Sequence, residues 1–114
     1  MRFLPRISLP VHGLAELALG ITLIVVGFVA SLGDTGMLLT LVAGITIAGV
    51  GFGAVSDQPL ALHQAIDRSI VIGIAVLAVI AAAAGSAPAA AILLATSGTM
   101  LALETVTHWS RPLV

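Results

Sequence analysis

Three pairs of histidine and carboxylate side chains are the residues of this sequence whose types and spacing could do chemistry. The two members of each pair are four positions apart, which places both on one face of a helix. Imidazole nitrogens and carboxylate oxygens are ligands that zinc, manganese and iron accept. The pairs therefore predict a divalent-metal site, and its six candidate ligands are His12, Glu16, His63, Asp67, Glu104 and His108.

The order of residues within the pairs indicates a common depth. In the first two pairs the histidine precedes the acid, and in the third pair the acid precedes the histidine. If the third pair lies on a helix of opposite direction, all three histidines come nearer one end and all three carboxylates lie one turn deeper. The three pairs could then converge at one mouth of a helical bundle.

The same residues allow other interpretations. Histidine titrates near neutrality, so the pairs could form a proton relay. His12 and His63 lie at matching depths and could hold a haem, although the sequence has few aromatic residues to line such a pocket. In a purely structural interpretation, each histidine bonds the acid of its own helix at the membrane interface, and Arg68 and Arg111 neutralise neighbouring charges.

Composition indicates which elements position these pairs. Of 114 residues, 60% are hydrophobic and only 8% are charged, which is far from the composition of soluble domains. A membrane span needs about 20 apolar residues. The sequence predicts one membrane domain, residues 1–114, that crosses the lipid bilayer four times, with spans at about 14–32, 37–55, 69–84 and 89–107.

A possible internal repeat organises the four spans into two similar helical hairpins, residues 11–57 and 62–108. A shift of 51 residues places His12 on His63 and Glu16 on Asp67. Such hairpins would be related by a pseudo-twofold axis along the membrane normal. The predicted fold is therefore an all-α, integral membrane four-helix bundle.

Each half contains an apolar helix, a turn and a second glycine-bearing helix, with Leu19-Gly20-Ile21-Thr22-Leu23 in the first. In this pattern the chain resembles the small bacterial SPW-repeat membrane proteins, although it lacks their Ser-Pro-Trp. The resemblance implies a tandem two-helix fold and no particular mechanism.

Basic residues predict the orientation, because they are retained on the cytoplasmic side of membrane proteins. Four spans place Arg2, Arg6, Arg68 and Arg111 on one side, and Trp109 fits an interfacial anchor there. Both termini are therefore expected in the cytoplasm. The sequence is rich in alanine and lacks lysine, asparagine and tyrosine, a bias that suggests a bacterial cytoplasmic membrane.

Small residues predict where the helices pack, because membrane helices associate through close backbone approach at glycine and alanine. The clearest pattern is Gly49-x-x-x-Gly53, and Gly20, Gly27 and Gly73 are further candidates.

The sequence shows no signature of an enzyme or of a nucleic-acid-binding protein. It has no cysteine, no phosphate-binding glycine loop, no nucleophile elbow and no basic patch. We therefore expect a small structural or accessory subunit that packs against other membrane subunits or forms a homo-oligomer. The alternative is a bundle that binds a metal or cofactor, or handles protons or ions, through its His/carboxylate residues.

Overall fold

Four helices make up the part of the chain that the computed structural model describes, residues 7–55 and 60–107. They are α1 (Leu9–Val29), α2 (Gly33–Val55), α3 (Leu60–Ala83) and α4 (Ala87–Val106). Each contains a candidate membrane span of 20 to 24 residues, which matches the thickness of a bilayer. The predicted fold class, an all-α membrane bundle of four helices, is confirmed.

Local sequence explains where the helices begin and turn. The Ser8 side chain accepts a hydrogen bond from the Val11 amide and caps α1. Both hairpin turns contain a glycine with positive φ, Gly33 at 74° and Gly85 at 86°, a conformation that side chains disfavour. Pro88 lies in the first turn of α4, where its missing amide hydrogen costs nothing. Short turns of this kind make each helix pair antiparallel.

The first hairpin is held by direct backbone contact between α1 and α2. A Cβ atom added at Gly20 would lie 2.5 Å from the Ala48 nitrogen and 2.6 Å from the Gly44 oxygen. One added at Gly51 would lie 2.6 Å from the Gly13 oxygen. Only glycine fits at these crossings. Lipid tails are as apolar as the helix side chains, so the two helices associate through van der Waals contact, which this close approach increases.

Two of the glycines predicted to mediate packing do not do so. A Cβ atom at Gly49 or at Gly73 would meet no atom within 4 Å. Both residues face outward from the described bundle, because helix rotation turns a different set of small residues toward the neighbouring helix. Gly20 and Gly27 do contact α2, as expected.

The two hairpins meet differently at the two ends of the molecule. At the end with the turns, α2 and α4 come close, and the Ser86 hydroxyl donates a hydrogen bond to the Leu32 carbonyl oxygen at 2.6 Å. Helices α1 and α3 occupy opposite corners, and within the described helices no Cα atom of one lies within 8 Å of a Cα atom of the other. The space between α1 and α3 is therefore available to side chains.

Burial follows a related pattern in the two hairpins. Buried positions of α1 recur in α3 after 51 residues, and those of α2 recur in α4 after 53 residues. Corresponding buried pairs are His12 and His63, Glu16 and Asp67, Leu23 and Ile74, Gly36 and Ala89, and Ile47 and Met100. The exact repeat bounds, 11–57 and 62–108, include residues outside the described ranges and stay a prediction.

Candidate metal centre

Four of the six candidate ligands occupy equivalent places on the two helices that open the hairpins. His12 and Glu16 are the fourth and eighth residues of α1, and His63 and Asp67 are the fourth and eighth residues of α3. At a rise of 1.5 Å per residue, each of the two acids lies about 10 Å along the helix axis from the first residue of its helix. All four side chains are fully buried, with 0% of their surface exposed. We call these four residues the His/acid cluster.

The His/acid cluster bridges the wide gap between α1 and α3. His12 Nε2 lies 2.6 Å from Asp67 Oδ2 on the other hairpin and 2.9 Å from Glu16 Oε1 on its own helix. His63 Nε2 lies 3.1 Å from Glu16 Oε1 and 3.5 Å from Asp67 Oδ1. Each histidine thus faces both carboxylates, and the four groups form a closed ring in which histidines and acids alternate.

Hydrogen bonding alone leaves this ring incomplete. Each Nε2 atom can donate at most one hydrogen, so two histidines cannot form good bonds along all four contacts. Glu16 Oε2 and Asp67 Oδ1 are buried and accept no hydrogen bond in the described structure. Asp67 Oδ1 has only the 3.5 Å contact with His63 Nε2, and buried carboxylate oxygens that accept no hydrogen bond are rare and call for an explanation. The cluster has more buried acceptor atoms than donors, and a cation would satisfy them.

The donor set and its dimensions fit a divalent transition metal. One ligand atom from each of the four residues can be chosen so that all lie within 4.8 Å of one another. A tetrahedral zinc site with bonds near 2.0–2.1 Å has ligand atoms about 3.3 Å apart, so the widest separation between ligand atoms, which is at most 4.8 Å, would close by up to about 1.5 Å when the metal binds. Two nitrogens and two carboxylate oxygens also suit iron and manganese.

The third predicted pair does not join this group. Glu104 lies on α4, and its Oε1 atom accepts a hydrogen bond from Arg68 Nε. The Arg68 side chain is 64% exposed and that of Glu104 is 11% exposed, so the ion pair runs from a mostly buried acid to the surface. His108 lies outside the described residues. Among the residues that the structure describes, the metal-ligand set contains four of the six candidates and excludes Glu104.

The geometry does not fit a haem. The His12 and His63 rings are edge to face, with centroids 5.7 Å apart and planes at 80°. Both Nε2 atoms point at the same two carboxylates, and these carboxylates fill the place that a porphyrin would need. The haem interpretation of the two histidines is therefore set aside.

One polar neighbour of the cluster was not anticipated from the sequence. Thr107, directly after α4, is buried, and its hydroxyl lies 2.6 Å from His12 Nδ1. A threonine at the end of an apolar helix normally bonds its own backbone, so its residue type carried no signal. Its only distinguishing feature in the sequence is its position at the predicted depth of the histidines.

Comparisons with known protein families, with curated proteins and with solved structures give no match. The fold and the cluster define this chain as a small integral membrane protein of four helices with a buried His/carboxylate centre. The resemblance to SPW-repeat proteins stays a prediction.

Proposed function

We propose that this protein binds one divalent transition metal, with zinc the best fit, between its two helical hairpins. The observation that carries the proposal is the convergence of His12, Glu16, His63 and Asp67 at one fully buried point. Ionisable residues inside a membrane are rare and usually serve function. Here two equivalent helical faces, far apart in sequence, supply four potential ligands to one small volume.

Charge balance is compatible with the proposal. A divalent cation, two ionised carboxylates and two neutral imidazoles sum to zero charge, as do two protonated imidazoles and two carboxylates, so the metal would replace two protons without a change in net charge. Burial of an uncompensated charge is strongly unfavourable in a medium of low dielectric constant, so a neutral metal site suits this depth. The same metal would give Glu16 Oε2 and Asp67 Oδ1, which accept no hydrogen bond, a positive charge to face.

The number of ligands supports a binding role over a catalytic one. Structural zinc sites use four protein ligands, whereas catalytic zinc sites use three and leave one position for water or substrate. The His/acid cluster offers four ligands and is closed to solvent. We therefore expect a protein that holds or stores its metal, or is stapled by it, without catalysis of its own.

The site would lie toward the cytoplasm in the orientation that we propose. Arg68 directly follows Asp67 in the sequence, and the other three arginines precede α1 or follow α4 in the sequence; the positive-inside rule then assigns the end that carries the cluster to the cytoplasm. The amino-acid bias supports a bacterial cytoplasmic membrane. Among the described residues, the interior beyond the cluster is mainly apolar, so no observation favours a proton path across the bilayer.

An accessory role remains compatible with a metal site. Large apolar side chains cover the outside of the bundle, among them Phe28, Val29, Phe52, Ile72 and Val79. These faces suit lipid, other membrane subunits or a second copy of the chain equally well. The accessory-subunit and homo-oligomer assignments stay predictions.

Metal titration of the full chain in detergent micelles tests the proposal. After treatment with a chelator, we expect Zn²⁺ to bind with a stoichiometry of one per chain in calorimetry. Co²⁺ should bind in competition with Zn²⁺, and its visible spectrum should report a four-coordinate site. Glu16→Gln and Asp67→Asn keep the side-chain shape but remove a ligand charge, and each should weaken binding by at least about tenfold.

Glu104→Gln is the matched control. It removes a carboxylate from the same end of the bundle but from outside the cluster, and it should leave Zn²⁺ affinity within about twofold of the parent. Helical content from circular dichroism verifies that each variant is folded. Failure of the intact chain to bind Zn²⁺ or Co²⁺, or parental affinity in Glu16→Gln, would contradict the proposal.

A further inference from the structure

The Thr107 hydroxyl, directly after α4, contacts His12 of the His/acid cluster, and the hydrogens available to the two groups give this hydrogen bond a direction. The Thr107 hydroxyl donates its hydrogen to the Leu103 carbonyl oxygen. A hydroxyl has one hydrogen and two lone pairs. Toward His12 Nδ1, which lies 2.6 Å away, the oxygen must therefore act as acceptor, and Nδ1 must carry a hydrogen.

This bond fixes which ring nitrogen faces the cluster. With Nδ1 donating to Thr107, a neutral His12 has its lone pair on Nε2, the atom that faces Asp67 and Glu16, so a metal would take the place of the hydrogen that Nε2 donates to Asp67 in the metal-free cluster. Metal-binding histidines commonly donate their other ring N–H to an oxygen acceptor, which sets the tautomer and orients the ring. Thr107 stands in that relation to His12.

The backbone around Thr107 holds the hydroxyl in place. Thr107 follows α4 in extended conformation and pairs with Ile7, whose amide donates to the Val106 carbonyl oxygen at 2.9 Å. Ile7 lies just before α1, so this bridge ties the end of α4 to the start of the helix that carries His12. Two separate contacts thus fix Thr107 relative to the His12 ring.

The corresponding place in the first hairpin lacks this group. By the shift of 53 residues that relates buried positions of α2 to those of α4, Thr107 corresponds to Ala54, which is also buried. Alanine has no hydrogen-bonding side chain. A hydroxyl at this position is therefore not a requirement of packing at the end of the second helix in a hairpin.

We propose that Thr107 is a positioning residue of the metal centre, which holds His12 in the Nδ1–H tautomer so that Nε2 binds the metal. The inference rests on the metal-binding function proposed above. It adds Thr107, directly after α4, as a residue that orients one of the four ligands from α1 and α3.

Thr107→Val tests the inference, because valine keeps the shape and loses the acceptor oxygen. We expect Zn²⁺ affinity to fall by about 10- to 100-fold and Thr107→Ser to restore most of it. Nitrogen-15 NMR of the imidazoles should show a protonated Nδ1 and a metal-bound Nε2 for His12 in the parent protein. In Thr107→Val the Nδ1 signal should shift as its hydrogen bond is lost.

Thr96→Val is the matched control. Thr96 is also buried on α4, and its hydroxyl donates to the Ile92 carbonyl oxygen four residues earlier, as Thr107 does to Leu103. This variant should keep parental affinity. Parental affinity and an unchanged His12 signal in Thr107→Val would overturn the inference while metal binding itself stands. Absence of Zn²⁺ binding in the parent would overturn both proposals.

Discussion

The two ends of this bundle join their helices by opposite means. At the turn end, small residues bring α2 and α4 into direct contact, with Gly36 against Ser86 and Ala89. At the other end, α1 and α3 stay apart, and four ionisable side chains span the distance. Where small residues let the helices touch, close packing is accompanied by the hydrogen bond from Ser86 to the Leu32 carbonyl oxygen. Where a gap remains inside the membrane, histidines and carboxylates fill it, and two of the carboxylate oxygens accept no hydrogen bond.

The two means of joining differ in their energetics. Packing at the turn end consists of many small dispersion terms and one hydrogen bond, so single changes there have graded effects. The His/acid cluster gains its stability only as a whole, because each charge desolvated in it must be compensated by its partners. We therefore expect the cluster to be the more sensitive end.

Removal of one acid from the cluster should have the largest effect. Asp67→Ala leaves His12 and His63 facing a single carboxylate in a fully buried place. Loss of one partner from a buried ion pair costs about 3–5 kcal/mol. We expect a decrease of this size in the free energy of unfolding, measured by titration of mixed micelles with a denaturing detergent while helicity is followed.

Two variants sharpen this result. Glu104→Ala breaks an ion pair in which the acid is 11% exposed and the arginine 64% exposed; because solvent screens the arginine, the change should cost about 1 kcal/mol, less than Asp67→Ala. Replacement of all four cluster residues by leucine should cost less than Asp67→Ala, since a wholly apolar interior has no charge to compensate. A quadruple variant less stable than Asp67→Ala would show that packing volume, and not charge compensation, dominates this end.

The turn end should respond more moderately. A Cβ atom at Gly36 would lie 2.5 Å from Ser86 Oγ and 2.9 Å from Ala89 Cβ, so Gly36→Ala must displace α4 or rotate Ser86. Overpacking of this kind costs about 1–3 kcal/mol. The same unfolding titration measures it, and Zn²⁺ affinity serves as the second readout.

Zn²⁺ affinity should stay at the parental value in Gly36→Ala, because the added methyl group lies at the opposite end from the cluster. A marked loss of affinity would show that the spacing of the hairpins is transmitted along the whole bundle. In that case the two ends could not be treated as independent.

Spacing in the sequence predicted much of the cluster but could not select its members. His12 with Glu16 and His63 with Asp67 are four residues apart and share a helical face, and those faces do point inward. Glu104 belongs to a pair with the same spacing, yet it pairs with Arg68. The difference arises from the rotation of α4 about its own axis, which depends on packing with α3 and not on the spacing within α4.

Helix rotation also explains why the packing glycines were only partly predictable. Composition and hydropathy suffice for four spans, because bilayer thickness sets their length and short glycine-containing turns set their direction. Gly20 and Gly49 look alike in the sequence. The first lies against the backbone of α2, and the second lies against nothing within 4 Å. The sequence shows where the small residues are. Which of them face a neighbouring helix is decided only when the helices pack.

The smallest predicted effect tests the outward-facing surface between the two ends. Gly49 lies within α2 with open space at its Cβ position, so Gly49→Ala introduces no clash and removes the conformational freedom of glycine. Alanine in a helix interior is favoured over glycine by about 0.5–1 kcal/mol, and the unfolding titration should show a gain of this size. Gly20→Ala is the matched control and should destabilise the protein, because its Cβ would meet backbone atoms.

A loss of stability in Gly49→Ala that appears only at concentrations where the chain self-associates would mean that Gly49 packs against a second copy. The Gly49 face would then be the contact surface of the predicted homo-oligomer.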